Sequence, residues 1–209
     1  MKLYWSPRSP FVRKVMVCAH ELGIAERIQK IYTLVSSSEV NADMLRVNPL
    51  GRIPALVTDE GTVLYDSVVI CEYLDAIDGR SRLFPGAGDR RWDILRRHAL
   101  ANGMLEMLVL GHSERSRSLS QQSAQTLAAF ERKVGTALDA AEIESPAPED
   151  VGIDIGHVTL GVALGYLDFR FTDINWRAAH PRLARWFETF GARASMQQTK
   201  PEDERARAS

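Results

Sequence analysis

The sequence predicts two domains, a mixed α/β domain followed by an all-helical domain. The first part of the chain alternates short β-rich runs with helical patterns, whereas the second half shows only helical periodicity. Between them, residues 78–89 are rich in glycine and proline, which interrupt both patterns. We therefore place an α/β domain at residues 1–78 and a helical domain at residues 89–200.

The elements of the first domain follow from its apolar patterns and its turn residues. The Asp59-Glu60-Gly61 turn predicts a hairpin between the third and fourth strands, because glycine can adopt a positive φ there. The predicted elements are a strand over Met1–Trp5, a helix over Pro10–Leu22, a strand over Arg27–Thr33, a polar segment over Ser36–Arg46, strands over Ala55–Thr58 and Thr62–Tyr65, and a helix from Asp66 through Leu74.

The second domain is predicted to consist of long helices, since apolar residues recur there three or four positions apart. Asp154 is the expected N-cap of one helix, with Ile153 and Val158 spaced as a hydrophobic staple. The predicted helices cover Arg90–Ser113, Ser120–Glu142 and Asp154–Leu167, and residues Ser145–Asp150 form a break between two of them.

Composition narrows the function classes. The chain has 209 residues, 45% of them apolar, and its 26 basic and 27 acidic side chains leave a net charge of −1. That balance offers no broad positive field for nucleic acid. Cys18 and Cys71 lie in apolar helical patterns and are expected to be buried, which suits a cytoplasmic protein. The histidines show no metal-ligand spacing, so we expect no metal.

A proline directly before a predicted strand is the most informative local feature. In Asn48-Pro49-Leu50-Gly51-Arg52-Ile53-Pro54, a cis bond before Pro54 is plausible, because it costs only about 0.5–1 kcal/mol. Proline donates no ladder hydrogen bond, so Pro54 belongs at a strand start or edge, where the backbone of Ile53 would be open to a peptide-like ligand. An ordinary loop leading into a strand is the alternative.

The order β-α-β-(α)-β-β-α, with its proline before the third strand, resembles the thioredoxin-like domain of the cytosolic glutathione S-transferase family. Gly161–Arg170 and His180–Phe187 are similar to the family's C-terminal helical domain, as found in its bacterial serine-type members. The resemblance covers roughly residues 1–200. It implies the glutathione S-transferase fold, glutathione as co-substrate, and a cytoplasmic homodimer with a role in detoxification.

The resemblance implies that the first loop activates the glutathione thiol. Ser9 occupies the serine of the family's S-P-F/Y-x-R-K pattern, so its hydroxyl is expected to face the sulfur, with Phe11 also at the glutathione site. Ser9 could instead be a plain N-cap before Pro10, or serve both roles. Ser6 is the alternative hydroxyl. No cysteine stands at either serine, which argues against a thiol oxidoreductase.

The remaining glutathione contacts follow residue by residue from the same resemblance. Ile53, beside Pro54, would pair its backbone with the cysteinyl part of the tripeptide. Asp66 and Ser67, at a predicted helix start, would hold the γ-glutamyl group, although a helix cap alone is a strong alternative. Arg52 could meet the glycyl carboxylate or remain solvated.

The sequence gives least information about the acceptor pocket, the site that would bind the electrophile. We expect it between the first loop and the first long helix of the second domain, although a Met/Leu stripe is more often simple core. The expected activity is attack of glutathione on a small, largely apolar electrophile. A glutathione-dependent isomerase, peroxidase or lyase and a non-catalytic binding protein remain open. The candidate acceptor residues are Ser6, Arg8, Met104, Leu105, Leu108 and His112.

Overall fold

A computed structural model describes residues 1–36, 39–79, 81–145 and 152–203. It divides into two compact units, Met1–Arg91 together with the described residues from Ala194 onward, and Trp92–Arg193. The predicted fold class, an α/β domain plus an all-helical domain, is confirmed. Most of the predicted break over Ser145–Asp150, and the chain end from Glu204, lie outside the described residues.

The first unit is built on a four-stranded mixed sheet in the order β2-β1-β3-β4. Strand β1 runs parallel to β2, and β3 is antiparallel to both β1 and β4. The β3–β4 hairpin turns at Gly61, whose φ of 85° needs glycine. The strands are β1 (Lys2–Trp5), β2 (Gln29–Tyr32), β3 (Ala55–Val57) and β4 (Val63–Leu64).

Nine α-helices fall within the described ranges, with single 3-10 turns at Ala25–Arg27 and Leu119–Gln121. The three long helices predicted for the second domain are present, each shifted by one to four residues at its ends. The helices are α1 (Pro10–Leu22), α2 (Ala42–Val47), α3 (Ser67–Ala76), α4 (Asp89–Arg115), α5 (Ala124–Ile143), α6 (Ile155–Arg170), α7 (Trp176–Ala179), α8 (Pro181–Gly191) and α9 (Ala194–Gln198).

Helices α1 and α3 pack together in the first unit, and α9 packs on α1. Cys18 of α1 and Cys71 of α3 are both fully buried and hydrogen-bonded to each other. Burial and this contact raise the pKa of the Cys18 thiol well above its usual range. The pair therefore behaves as neutral core, as the sequence predicts.

A buried carboxylate holds the segment that follows α3. Asp75 is only 1% exposed, and its oxygens accept hydrogen bonds from the backbone N–H groups of Arg82, Leu83 and Phe84 at 2.8–3.0 Å. Three backbone donors are thereby satisfied by one side chain, which fixes the exit from α3.

In the second unit, α6 carries the core and packs closely on α8. Val158, Val162 and Leu167 are fully buried. Gly161 faces the ring of Phe190, and a Cβ atom at Gly161 would lie 2.4 Å from that ring. The absence of a side chain at this position therefore permits the close approach of the two helices.

The start of α6 is capped at Asp154, as the sequence predicts. The family resemblance implies an Asp three positions after the N-cap, so His157 at that position predicts a lower local stability. Asp154 accepts from the His157 N–H at 3.0 Å, and the His157 Nδ1 lies 3.2 Å from the Asp154 nitrogen, so the reciprocal contact is kept. Arg97 adds an ion pair to Asp154 at 3.1 Å. That His157 lowers local stability stays a prediction.

Candidate functional site

The register of the sheet brings three predicted segments to one end of the first unit. Tyr4 pairs with Ala55, and Leu56 pairs with Leu64. Because β3 is antiparallel to both neighbours, the chain leaving β1, the chain entering β3 and the chain leaving β4 share that end. The first loop, the Ile53-Pro54 turn and the start of α3 at Asp66-Ser67 are thus neighbours.

Ser9 is the N-cap of α1, as one reading of the sequence predicts. Its Oγ accepts a hydrogen bond from the Val12 N–H at 3.3 Å, and Pro10 occupies the first helical position. The bond to Val12 uses a lone pair of the oxygen. In the described parts of the chain, no acceptor takes the Ser9 hydroxyl proton, so Ser9 can cap the helix and still donate outward.

Ser6, the alternative hydroxyl, is in a different environment. It is 4% exposed, whereas Ser9 is partly exposed, and its Oγ accepts from the Arg8 N–H at 3.4 Å. The loop also turns on a backbone bond from Ser9 N–H to the Ser6 carbonyl. Ser9 is therefore the more exposed of the two serines.

The Ile53-Pro54 peptide bond is cis. Across the described residues, no hydrogen bond uses the backbone N–H or C=O of Ile53. The buried side chain of Asn48 holds the turn, since it donates to the Arg52 carbonyl at 2.8 Å and accepts from the Leu50 N–H at 3.0 Å. This role of Asn48 was not predicted, although asparagine before proline is a turn signal.

Asp66 and Ser67 form the start of α3, and the Tyr65-Asp66 peptide is also cis. Asp66 is exposed and caps the helix by accepting from the Val68 N–H at 2.9 Å. Ser67 is 2% exposed, and no hydrogen bond among the described residues uses its hydroxyl or its backbone N–H. A helix start with unused donors is suited to an anionic group.

The other predicted residues are spread over both units. In the first unit, Arg8 and Phe11 are partly exposed, Arg52 is exposed, and Pro54 is buried. In the second unit, Met104, Leu105 and Leu108 are buried on α4, and His112 is partly exposed.

Two further observations on the described residues concern metal binding and membrane-spanning helices. They contain no group of three or more His, Cys, Asp or Glu side chains arranged to hold a metal ion. The helices among them are all too short or too polar to cross a membrane.

Comparison with known proteins identifies the family. The model of the glutathione S-transferase N-terminal domain matches residues 8–77, and that of the C-terminal domain matches residues 122–189. The uncharacterized GST-like protein YibF of Escherichia coli is 30% identical over 206 residues, which cover 96% of this chain and 98% of YibF.

Two solved structures are similar over nearly their whole length. A glutathione transferase family member from Pseudomonas fluorescens Pf-5, with bound glutathione, is 40% identical at a TM-score of 0.92, covering 97% of this chain and 99% of that one. A glutathione S-transferase from Methylobacillus flagellatus KT, with glutathione bound, is 31% identical at a TM-score of 0.84, covering 96% and 99%. With both domain models matched and relatives alike along the full length, the chain belongs to the glutathione S-transferase family.

Proposed function

We propose that the protein is a glutathione transferase that binds glutathione at this end of the sheet and activates its thiol for attack on a small electrophile. The observation that carries the proposal is a set of unused hydrogen-bonding groups at one place: the Ser9 hydroxyl proton, the Ile53 backbone, and the Ser67 hydroxyl and N–H. The bound glutathione in the two solved relatives supports it.

Each part of the tripeptide has a partner in this proposal. The cysteinyl N–H and C=O pair with the backbone of Ile53, as an added strand pairs with an open edge. The γ-glutamyl carboxylate accepts from Ser67, and its amino group meets the exposed carboxylate of Asp66. Arg52 is exposed and free to approach the glycyl carboxylate, while Phe11 and Pro54 border the tripeptide.

The chemical step depends on a thiolate. A thiol has a reference pKa of about 8.5, so little of it is ionised at neutral pH. Lowering that pKa by roughly two units requires a preference for the thiolate of about 2.7 kcal/mol. A hydrogen bond from Ser9 to the charged sulfur supplies about 1.5–3 kcal/mol. The N-terminus of α1 adds positive potential at the same place.

The thiolate then attacks the electrophile. A carbon–sulfur bond forms, and the leaving group departs with the electron pair of its bond. Ser9 lowers the barrier by holding the sulfur as an anion in position, as preorganised donors do at other anionic sites. Neither serine position carries a cysteine, so the site has no residue for mixed-disulfide exchange.

The family resemblance also supports a cytoplasmic homodimer with a role in detoxification, which we include in the proposal. That Ser6, Arg8, Met104, Leu105, Leu108 and His112 contribute to the acceptor pocket stays a prediction.

Calorimetric titration with glutathione, run beside conjugation of a chlorodinitrobenzene acceptor, tests the proposal. We expect binding and turnover together. Binding without turnover would favour a glutathione-dependent isomerase, peroxidase, lyase or sensor. No binding at millimolar glutathione would contradict the proposal and leave a transferase-like scaffold without the site described above.

A further inference from the structure

A cavity of about 160 Å³ lies beside the first loop, entirely within the first unit. One wall is formed by Ser9, the N-cap of α1, and by Arg13 and Met16 on the same side of the helix, each about one turn further on. Trp5, at the end of β1, provides a second apolar surface. Because the cavity shares Ser9 with the proposed thiolate site, a group bound in it would lie next to the reacting sulfur.

Arg13, the arginine of the S-P-F/Y-x-R-K pattern, places a buried guanidinium in this wall. It is 8% exposed, and its Nη2 donates to the backbone carbonyl of Met196 at 3.2 Å. Its buried Nε has no hydrogen-bond partner, and among the described residues no carboxylate pairs with the guanidinium. Burial lowers the pKa of Arg13 to about 10, with no acidic group acting against the shift. A buried charge without a counterion is costly, and a bound anion would offset that cost.

The other charged residues that line the cavity are mainly positive, like Arg13. Lys30 on β2 and Lys200 after α9 line it, against the single carboxylate of Glu202. The Lys30 ammonium lies 5.5 Å from the centre of the Trp5 ring, over the apolar part of the wall. With Arg13, three cations therefore face one anion around a partly apolar space.

We propose that this cavity binds the carboxylate of the electrophile, so that the natural acceptors are small carboxylic acids with an apolar body. The assignment rests on the proposed transferase function and narrows its substrate class. A cavity of about 150 Å³ accommodates a benzene ring. The ring of a benzoate therefore has room against Trp5 and Met16, and its carboxylate would then be directed towards Arg13 and Lys30.

A matched pair of acceptors tests this assignment. In a chloronitrobenzoate and its carboxamide, the thiolate sulfur forms a bond to the ring carbon and chloride leaves with the electron pair, so the reaction is the same and one substituent loses its negative charge. We divide the kcat/KM for each acceptor by its uncatalysed rate. We expect this ratio to be higher for the carboxylate than for the carboxamide in the wild type. Arg13→Met should lower that preference about tenfold, and the exposed Lys30→Gln severalfold.

The control is Lys133→Gln, which removes an exposed lysine from α5 in the other unit and should keep the full preference. Equal rates for both acceptors in the wild type would overturn the assignment, as would an unchanged preference in both cavity variants. Should Arg13→Met not fold, Lys30→Gln still decides the question. If these variants lost glutathione affinity without a change in acceptor preference, the cavity would bind a carboxylate of glutathione instead. That result would also overturn the assignment.

Direct binding separates this assignment from the proposed function. Ligand-observed NMR with benzoate and benzamide requires neither glutathione nor turnover. Binding of benzoate alone, weakened by Lys30→Gln, would support the carboxylate site even where glutathione fails to bind and the transferase function fails. Equal binding of the two probes would contradict the carboxylate site, whatever the outcome for glutathione.

Discussion

At the scale of single residues, Ser9 shows how a helix cap and a ligand contact can share one hydroxyl. The cap uses an oxygen lone pair, which accepts from Val12 N–H, and a contact to a thiolate would use the proton. The two readings that the sequence leaves open for Ser9 are therefore compatible. The sequence favours Ser9 over Ser6 only by resemblance, because the burial of Ser6 and its contact with the Arg8 N–H exist only in the folded loop.

Substitution of Ser67 tests the proposed glutathione site. Ser67→Ala removes a donor that no described group uses, so the fold should lose little stability while the γ-glutamyl carboxylate loses a charged hydrogen bond. We expect the Kd for glutathione to rise about tenfold by calorimetry. Ser120→Ala, on an exposed turn, is the control and should leave the Kd unchanged. An unchanged Kd in Ser67→Ala would remove Ser67 from the site.

Arg13 and Asp75 mark the limit of what sequence alone predicts at this scale. Each is buried and polar, and its partners lie seven or more residues away along the chain. Apolar periodicity places residues on a buried face but does not reveal which polar group is satisfied there. Asp154 is the contrasting case, since a local cap is encoded within four residues and was predicted correctly.

At the scale of elements, Asp75 connects the end of α3 to the backbone that follows it. Asp75→Ala would leave three backbone N–H groups without their acceptor, two of them in buried residues. We expect the free energy of unfolding to fall by about 3 kcal/mol in a urea titration. Asp43→Ala, which breaks an exposed pair with Arg46, should cost less than about 1 kcal/mol. Equal losses in the two variants would contradict this role of Asp75.

Two helical glycines make a matched test of the α6–α8 contact. Gly161→Ala places a Cβ atom against the Phe190 ring, which stacks on Trp186 at 4.8 Å and has little room to move. We expect a loss of about 1–3 kcal/mol in unfolding free energy. Gly103→Ala, on α4 with no atom near the added Cβ, should instead stabilise by about 0.5–1 kcal/mol. Stabilisation by both substitutions in thermal and urea unfolding would show that the helices tolerate a wider spacing.

At the scale of the whole molecule, the α/β-then-helical order was predictable because both periodicities are strong and a glycine- and proline-rich segment separates them. The return of the chain at Ala194 to pack α9 on α1 was not predicted. That return depends on a long-range contact, for which a five-residue helix carries no local signal. It also provides one wall of the cavity beside Ser9, so the acceptor side of the site was less predictable than the glutathione side.

The central claim is that Ser9 stabilises the glutathione thiolate, and titration of the bound thiol by ultraviolet absorbance tests it most directly. Ser123→Ala is a matched control, since Ser123 caps α5 through the same contact, to Thr126 N–H at 3.2 Å. Both substitutions should cost about 1 kcal/mol of stability as lost caps. Only Ser9→Ala should raise the pKa of the bound thiol, by about one to two units. Turnover should then be slower at pH values below this raised pKa. An unchanged thiol pKa and unchanged turnover in Ser9→Ala would show that Ser9 is a helix cap and nothing more.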